Sequence, residues 1–254
     1  MTLQVDVLVI TAHPDDAEFG AAGTVARFRK AGRSVAYVVC TDGEKGTSDR
    51  SLSPERLAAM RREEQMAAAR LLGLSDVAFL GYPDQQLEDS FEFRKHLVRM
   101  IRTYRPATVI TSDPYRRYLW HRDHRIVGQV VLDAVFPYAR DHLAYPDLLE
   151  EGLEPHKVRE VLLWASEDVN HRVDITSTFE TKLAALRCHE SQVRELPWPD
   201  LESWLRDRCR AMAQGETYEL AEAFHRVEIP LRTPGGEKCR LGLCGRAPAD
   251  RLSV

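Results

Sequence analysis

The sequence lacks long hydrophobic runs and an excess of basic charge, and both absences exclude classes of function. No apolar stretch approaches the roughly 20 residues that a membrane-spanning helix needs. The first residues, MTLQVDVLVITAHPDD, show neither the basic start nor the long apolar segment of a secretory signal. Lysine and arginine together number 35 against 39 aspartate and glutamate, a net charge of -4 without a basic stripe. We therefore expect a cytoplasmic protein that neither inserts into membranes nor binds nucleic acid.

The chain is also poor in cysteine, with five residues that are widely scattered. An odd number excludes a complete disulfide framework, and reduced thiols are the expected state in a cytoplasmic protein. Cys239 and Cys244 could share a loop, but no second cysteine or histidine pair of zinc-finger spacing accompanies them. Since structural zinc sites need four nitrogen or sulfur ligands, we do not expect these two cysteines to form one.

What is present is an ordinary globular composition, 44% hydrophobic and 29% charged, in a chain of 254 residues. Short apolar segments alternate with helix-like segments, an order that is typical of parallel βαβ units. The predicted strands are Val5–Thr11, Ser34–Thr41, Val77–Leu80, Ala107–Ser112, Val158–Trp164 and Val173–Ile175. The predicted helices are Gly20–Ala31, Pro54–Leu72, Ser90–Tyr104, Asp123–Val135, Ser177–His189 and Asp200–Gln214.

The predicted fold class is α/β, with a Rossmann-like, mostly parallel sheet and helices on both faces. No internal repeat or linker divides the chain, so we expect a single domain over residues 1–254. Within it we place an α/β core at 1–190 and a C-terminal elaboration at 191–254, which includes a loop at Thr233–Lys238.

The turn after the first predicted strand carries an imidazole and two carboxylates. It reads Thr-Ala-His-Pro-Asp-Asp and contains His13, Asp15 and Asp16. An aspartate often caps the next helix, but a cap accounts for one carboxylate and leaves the histidine unexplained. A dinucleotide-binding turn would need glycines here, and carboxylates at a helix N-terminus repel phosphate. These ligands instead favour a divalent metal such as zinc, whose catalytic sites commonly use three protein ligands.

A second motif, His121-Arg122-Asp123-His124, follows the fourth predicted strand. In the 3-2-1-4 order of a doubly wound sheet, the first and fourth strands are neighbours, and ligands bind outside their carboxyl ends. We therefore expect the two motifs to meet, although more than a hundred residues separate them. A single isolated histidine is more often a surface residue, but two histidines opposite the first motif indicate a shared site.

At these two motifs the sequence resembles the PIG-L/LmbE family of zinc-dependent N-acetylglucosaminide deacetylases. The family signatures are Ala-His-Pro-Asp-Asp after the first strand and His-x-Asp-His after the fourth, and the resemblance covers most of the chain. Weaker agreements support it jointly; they are Arg61-x-x-Glu64, Leu72-Gly73, Gly81-Tyr82-Pro83-Asp84, Val173-Asp174-Ile175 and a segment from Lys182 to Gln192.

The resemblance implies a role for each residue of the first motif and for the last residue of the second. His13, Asp16 and His124 would hold one zinc ion per chain. Asp15 would be the general base that takes a proton from the attacking water. The chemistry suits the residues, because zinc acidifies water and polarises an amide carbonyl while a carboxylate moves the proton.

The resemblance also implies an oxyanion partner and two substrate contacts. His121, oriented by Asp123, would stabilise the negative charge of the tetrahedral intermediate as a charged imidazole. Arg61 and Asp84 would contact sugar hydroxyls. The alternatives for these two are a solvated helix charge for Arg61 and an ordinary turn residue for Asp84.

The function expected from these residues is removal of the acetyl group from an N-acetylated amino sugar, an N-acetylglucosamine conjugate or a related small amide. The alternative is a Rossmann-type domain that binds metal or nucleotide without turnover. The resemblance further implies a homo-oligomer. The loop Asp42–Leu52 lies on the same rim and could gate the site or merely connect two elements. His189 could mark a rim or a subunit interface, and the alternative is an ordinary residue at a helix end.

Overall fold

The fold alternates strands and helices over the residues that the structure, a computed structural model, describes: 3–118, 121–198 and 200–230. The strands are β1 Val7–Thr11, β2 Val35–Thr41, β3 Asp76–Tyr82, β4 Thr108–Ser112, β5 Glu160–Trp164, β6 His171–Asp174 and β7 Ala221–Glu228. The helices are α1 Asp16–Lys30, α2 Pro54–Leu72, α3 Phe91–Tyr104, α4 Arg122–Val135, α5 Pro146–Glu150, α6 Phe179–Arg187, α7 Glu190–Val193 and α8 Leu201–Met212. Short 3-10 helices occupy Tyr138–Arg140 and Thr176–Thr178.

The strands form one seven-stranded sheet in the order β3-β2-β1-β4-β5-β7-β6. Strands β1 to β5 pair in parallel, whereas β7 runs antiparallel to both of its neighbours. The prediction of a mostly parallel α/β sheet with β1 beside β4 is confirmed. The prediction lacked β7, because its sequence, AEAFHRVE, interleaves charged and apolar residues instead of forming a continuous apolar run. The sheet therefore takes a strand from beyond residue 190.

Both faces of the sheet are covered, because successive side chains of a strand point to opposite sides. Leu8 and Ile10 belong to the core beneath α3 and α4, and Val7 and Val9 belong to the core beneath α1, α2 and α6. All four side chains are fully buried. Burial of each side chain stabilises the fold by about 1.5–3 kcal/mol relative to an exposed position. The central strands are therefore firmly held, and the candidate site lies at their edge.

Helix ends follow the signals in the sequence at α2 more closely than at α1. The side chain of Ser53 accepts a hydrogen bond from the Arg56 N–H at 3.3 Å, and Gly73 ends α2 at a φ of 67°. A left-handed φ suits glycine, which has no Cβ. Helix α1 begins at Asp16, earlier than the predicted Gly20, so the acidic motif itself forms its first turn.

Gly128 lets α4 approach the end of β4, and we predict that Gly128→Ala destabilises the protein. An added Cβ would lie 2.4 Å from the backbone oxygen of Ser112 and 2.9 Å from Pro114. A backbone clash of this kind costs about 1–3 kcal/mol in unfolding free energy. Urea unfolding measures the loss, and Gln129→Ala, one position along the same helix, is the control with an expected change within about 0.5 kcal/mol. Equal stability of the two variants would contradict the close approach.

Two further features of the described chain bear on the sequence predictions. No helix in the described ranges is both long and apolar enough to cross a bilayer. Among the described residues, Cys40, Cys188 and Cys209 are free thiols. The predicted loop Thr233–Lys238 and the pair Cys239 and Cys244 lie outside the described residues.

Candidate active site and metal centre

The two sequence motifs meet at the carboxyl edge of the sheet, where β1 and β4 lie side by side. β1 ends at Thr11, so the following turn places His13 above the sheet, and α1 begins at Asp16. His121 is the residue that precedes α4, and His124 lies in the first turn of that helix. Their meeting confirms the prediction that rested on the neighbouring positions of the first and fourth strands.

The three predicted metal ligands lie close to one another. The Nδ1 atom of His13 lies 3.1 Å from Nε2 of His124 and 3.4 Å from Oδ2 of Asp16. Nε2 of His124 lies 3.0 Å from Oδ1 of Asp16. Ligands held about 2.0–2.1 Å from a tetrahedral zinc are separated by about 3.3 Å. The three side chains therefore offer nitrogen and oxygen donors at distances compatible with a shared metal ion.

Carboxylates surround the opposite edge of the His13 ring. Its Nε2 atom lies 3.0 Å from Oδ1 of Asp84 and 3.4 Å from Oδ2 of Asp123. Burial disfavours a charged imidazole, but hydrogen bonds to Asp123, Asp16 and Asp84 outweigh it and raise the pKa of His13 well above its usual value. The pocket thus favours positive charge at this ring. Metal-binding histidines commonly direct their second ring nitrogen to such a carboxylate.

Asp123 also contacts the backbone around it. Its Oδ2 accepts a hydrogen bond from the Gln85 N–H at 2.6 Å, and its own N–H donates to Nδ1 of His121 at 3.3 Å. The carboxylate is therefore directed to His13, and the backbone, not the carboxylate, contacts His121. His13, His121 and His124 also form a group whose ring nitrogens lie within 4.8 Å of one another.

Asp15 occupies a conformation that few residues adopt, with a φ of 100°, and its side chain does not cap α1. Its backbone N–H donates to the Gln65 side chain at 3.2 Å, and its Oδ2 accepts from the Arg61 guanidinium at 3.2 Å. A left-handed φ in a non-glycine residue persists only where the surroundings hold it. Asp15 stands at the N-cap position of α1, but its side chain makes no capping hydrogen bond, so capping does not account for its carboxylate.

The charge state of Asp15 is set by its burial. Burial raises the pKa of this carboxyl to about 6, Arg61 opposes the rise, and the negative charge of Asp16 adds to it. Arg61 is itself buried and also donates to the backbone oxygens of Pro14 and Gly43. That burial excludes the alternative of Arg61 as a solvated helix charge.

His121 is more exposed than the other residues of the cluster, at 37% of its side-chain surface. Its ring stacks on His124 with centroids 4.9 Å apart and meets His13 edge-on at 4.5 Å. The buried part of the His121 side chain disfavours a charged ring, and the charges of His13 and His124 add to this effect, so the pKa of His121 is lowered. These surroundings favour its neutral imidazole, whereas the family resemblance implied a charged one.

Sequence reasoning missed a buried polar network behind Asp15. Gln65 donates to Oε1 of Glu18 at 3.0 Å, and Oε2 of Glu18 lies 3.1 Å from Nε2 of His189. His189 is fully buried, so the expectation that it marks a rim or subunit interface is wrong. The signal for Gln65 was present, because it lies one helical turn after Arg61 and shares its face of α2.

The loop 42–52 packs beside the site. Glu44 accepts hydrogen bonds from the Asp84 N–H, and the Lys45 ammonium donates to the backbone oxygen of Asp84. Gln192 donates to the Gly46 oxygen at 3.0 Å. The loop thus fixes the turn that carries Asp84.

The fold and the cluster define a class of protein: an α/β domain with a buried histidine and aspartate group suited to a metal, beside an unusually basic carboxylate. The family model described as GlcNAc-PI de-N-acetylase matches residues 8–135. A diacetylchitobiose deacetylase of Thermococcus kodakarensis is 38% identical over 221 residues, which cover 87% of this chain and 82% of that protein. A 1D-myo-inositol 2-acetamido-2-deoxy-alpha-D-glucopyranoside deacetylase of Nocardioides is 29% identical over 76% of this chain and 85% of its own.

A solved structure shows the same architecture. The N,N'-diacetylchitobiose deacetylase of Pyrococcus horikoshii superposes with a TM-score of 0.83 at 35% identity, covering 87% of this chain and 83% of that chain. The chain belongs to the PIG-L family of N-acetylglucosamine deacetylases. It is an N-deacetylase that acts on carbon–nitrogen bonds.

Proposed function

We propose that this protein is a zinc-dependent hydrolase that removes the acetyl group from an N-acetylglucosamine conjugate. The observation that carries the proposal is the convergence of His13, Asp16 and His124 within 3.0–3.4 Å, with Asp15 held beside them. Relatives that act on diacetylchitobiose and on a glucosaminyl inositol support an acetylated amino sugar as substrate.

His13, Asp16 and His124 would hold one zinc ion per chain. When bound, zinc supplies a Lewis acid that acidifies water and polarises the amide carbonyl. Asp84 and Asp123 would keep the His13 ring in the orientation that presents Nδ1 to the ion, since both carboxylates face Nε2.

Asp15 would take the proton of the attacking water and later deliver it to the leaving amine. A base with a pKa near 6 suits both steps, because it is ionised near neutral pH and its conjugate acid still releases a proton readily. Arg61 and Gln65 would hold this carboxylate in place through the side-chain and backbone contacts described above.

His121 would stabilise the oxyanion of the tetrahedral intermediate. Because its Nδ1 accepts the Asp123 N–H, the proton of the neutral ring lies on Nε2. A neutral His121 can therefore still donate a hydrogen bond into the site, and Asp123 would orient it through the backbone. A positioned donor of this kind is worth about two to three orders of magnitude in kcat.

We also propose that Arg61 and Asp84 contact the hydroxyls of the sugar. Their support is their location, because Arg61 touches Asp15 and Asp84 touches His13. A homo-oligomer and a cytoplasmic location likewise remain predictions, which light scattering and cell fractionation would test.

Arg61→Gln is expected to raise KM for a sugar substrate without loss of zinc and to move the acidic limb of the pH profile upward. The positive charge of Arg61 lowers the pKa of Asp15, so its removal raises that pKa, by about one unit. The general base is then protonated at a higher pH, and kcat/KM falls earlier as the pH decreases. Arg62→Gln, at the exposed neighbouring position, is the control. If neither KM nor the acidic limb of the pH profile changed, the proposed roles of Arg61 in substrate binding and in setting the pKa of Asp15 would be wrong.

The proposed function is tested by acetate release from a panel of N-acetylglucosamine, diacetylchitobiose and glucosaminyl-inositol conjugates, with zinc content measured on the same sample. We expect release from at least one conjugate by the zinc-bound protein. Zinc-bound protein that releases acetate from none of them would overturn the proposal.

A further inference from the structure

The first turn of α1 carries the sequence pattern of a capping box, Asp15-x-x-Glu18. In such a box the side chain at the N-cap accepts the backbone N–H of the residue three positions on. The glutamate at that later position accepts the N–H of the cap in return. Asp15 is the N-cap residue of α1, and Glu18 lies three positions after it. The local sequence therefore favours a closed box, with the Asp15 carboxylate against the end of the helix.

The structure shows an open box instead. The Asp15 side chain makes no capping hydrogen bond, and the Glu18 N–H donates to the backbone oxygen of Asp15 at 2.9 Å. Asp200, the N-cap of α8, shows the ordinary arrangement, with a φ of -125° and its Oδ1 accepting the Ser203 N–H at 3.1 Å. The φ of Asp15 is 100°, far from that of a capping aspartate. Its carboxylate is thereby kept from the helix end and contacts Arg61.

Gln65 of α2 lies between the two halves of the box. Its Oε1 accepts the Asp15 N–H at 3.2 Å, and its Nε2 donates to Oε1 of Glu18 at 3.0 Å. The amide thus gives each group a substitute for the partner that it would have in a closed box. Gln65 and Glu18 are fully buried. Because buried polar groups need partners within the protein, both depend on this amide.

Glu18 also determines which way the Gln65 amide faces. A side-chain amide has a donating end and an accepting end, and only the accepting end can serve the Asp15 N–H. Oε2 of Glu18 lies 3.1 Å from Nε2 of His189, which is fully buried as well. Burial disfavours a charged His189 ring, but the Glu18 carboxylate outweighs burial and raises the pKa of His189. A carboxylate paired in this way accepts the amide N–H, so the amide oxygen faces Asp15.

We propose that Gln65 and Glu18 are positioning residues that hold the capping box open and so leave the Asp15 carboxylate available for proton transfer. The inference rests on the proposed function, in which Asp15 is the general base, and deepens it. Without the Gln65 amide, Glu18 would accept the Asp15 N–H directly, and the Asp15 carboxylate would turn to the N–H groups of α1. A base displaced by about 1 Å from its water can cost 100-fold in rate.

The first test replaces Gln65 by methionine, which has a similar length and volume but no amide. We expect Gln65→Met to lower kcat about 10-fold to 100-fold, measured at the plateau of its own pH profile. KM and zinc content should stay near the parental values, because a positioning residue contacts neither the substrate nor the ion. Glu63→Gln, at an exposed position of the same helix, is the control and should keep the parental kcat.

An exchange of the two side chains tests hydrogen bonding separately from packing. In Gln65→Glu two carboxylates face each other, and kcat is expected to fall as in Gln65→Met. Adding Glu18→Gln restores a donor opposite an acceptor, because position 65 still accepts the Asp15 N–H and position 18 donates to it. The double variant is expected to regain about tenfold in kcat over Gln65→Glu, as for a hydrogen bond to a charged group.

Two results would overturn the inference: a parental kcat in Gln65→Met, or a double variant no more active than Gln65→Glu. Should one of the single variants fail to fold, the double variant is compared with the other. Failure of the proposed function looks different. In that case Asp15→Asn would keep the parental kcat, or the zinc-bound parent protein would release no acetate, whatever the effect of changes at position 65.

Discussion

Replacing Asp15 by asparagine is expected to lower kcat by about two to four orders of magnitude while zinc stays bound. Asparagine keeps the shape of the side chain and its contact with Arg61, but it cannot take a proton from water. Asp15 makes none of the short contacts that join His13, Asp16 and His124, so its charge is not needed to hold the ion. Zinc content and kcat should therefore separate in this variant.

Asp16→Asn is the matched comparison, because it makes the same chemical change one residue further along. Its carboxylate faces both His13 and His124, so this variant is expected to lose zinc. If Asp15→Asn released the metal while Asp16→Asn retained it, the two roles would have to be exchanged. If both variants kept zinc and near-parental kcat, hydrolysis would not be the function of this site.

Alanine at any one of His13, Asp16 and His124 is expected to abolish zinc retention and activity together. Three ligands leave no redundancy, and the loss of one should cost more than the roughly 10-fold to 100-fold in affinity that removal of an outer partner costs. Elemental analysis of the purified variants gives the metal content. His142→Ala, at a histidine that is 73% exposed, is the control that should retain both. Full occupancy in all three variants would remove the ligand assignment.

The fold was predictable because its central strands are buried on both faces and so read as continuous apolar runs. The residues Val7–Thr11 and Val35–Thr41 are buried throughout, and both were recognised. The Ser53 cap and Gly73 bounded α2 correctly because each satisfies a local requirement of the helix. Strand β7 was missed because half of it is partly exposed and alternates with charged residues.

The sequence predicted which residues belong to the candidate site better than it predicted their contacts. Strand order alone brings His13 and His124 together, and a sequence can reveal that order. A sequence cannot reveal that the Asp123 carboxylate faces His13, because that depends on the direction of one side chain. The burial of Arg61 and His189 depends on how α2, α6 and α7 pack, so their partners became visible only in the structure.

A cavity beside the cluster, lined in part by Asp16 and His124, shows the same limit for residues distant in sequence. Trp164, Trp198 and Trp204 come from a strand end, a connecting segment and a helix. No spacing rule relates them to one another, because tertiary packing alone places them around one space. Single aromatic residues occur in many settings, so these three gave no signal in the sequence.

The most direct test of the central claim is a titration of zinc into metal-depleted protein, with amine release from diacetylchitobiose followed at each addition. We predict that the metal-depleted protein is inactive and that the rate rises in proportion to bound zinc until one ion is bound per chain. A parental rate without metal, or one bound zinc per chain with no amine released from this or any related conjugate, would contradict it.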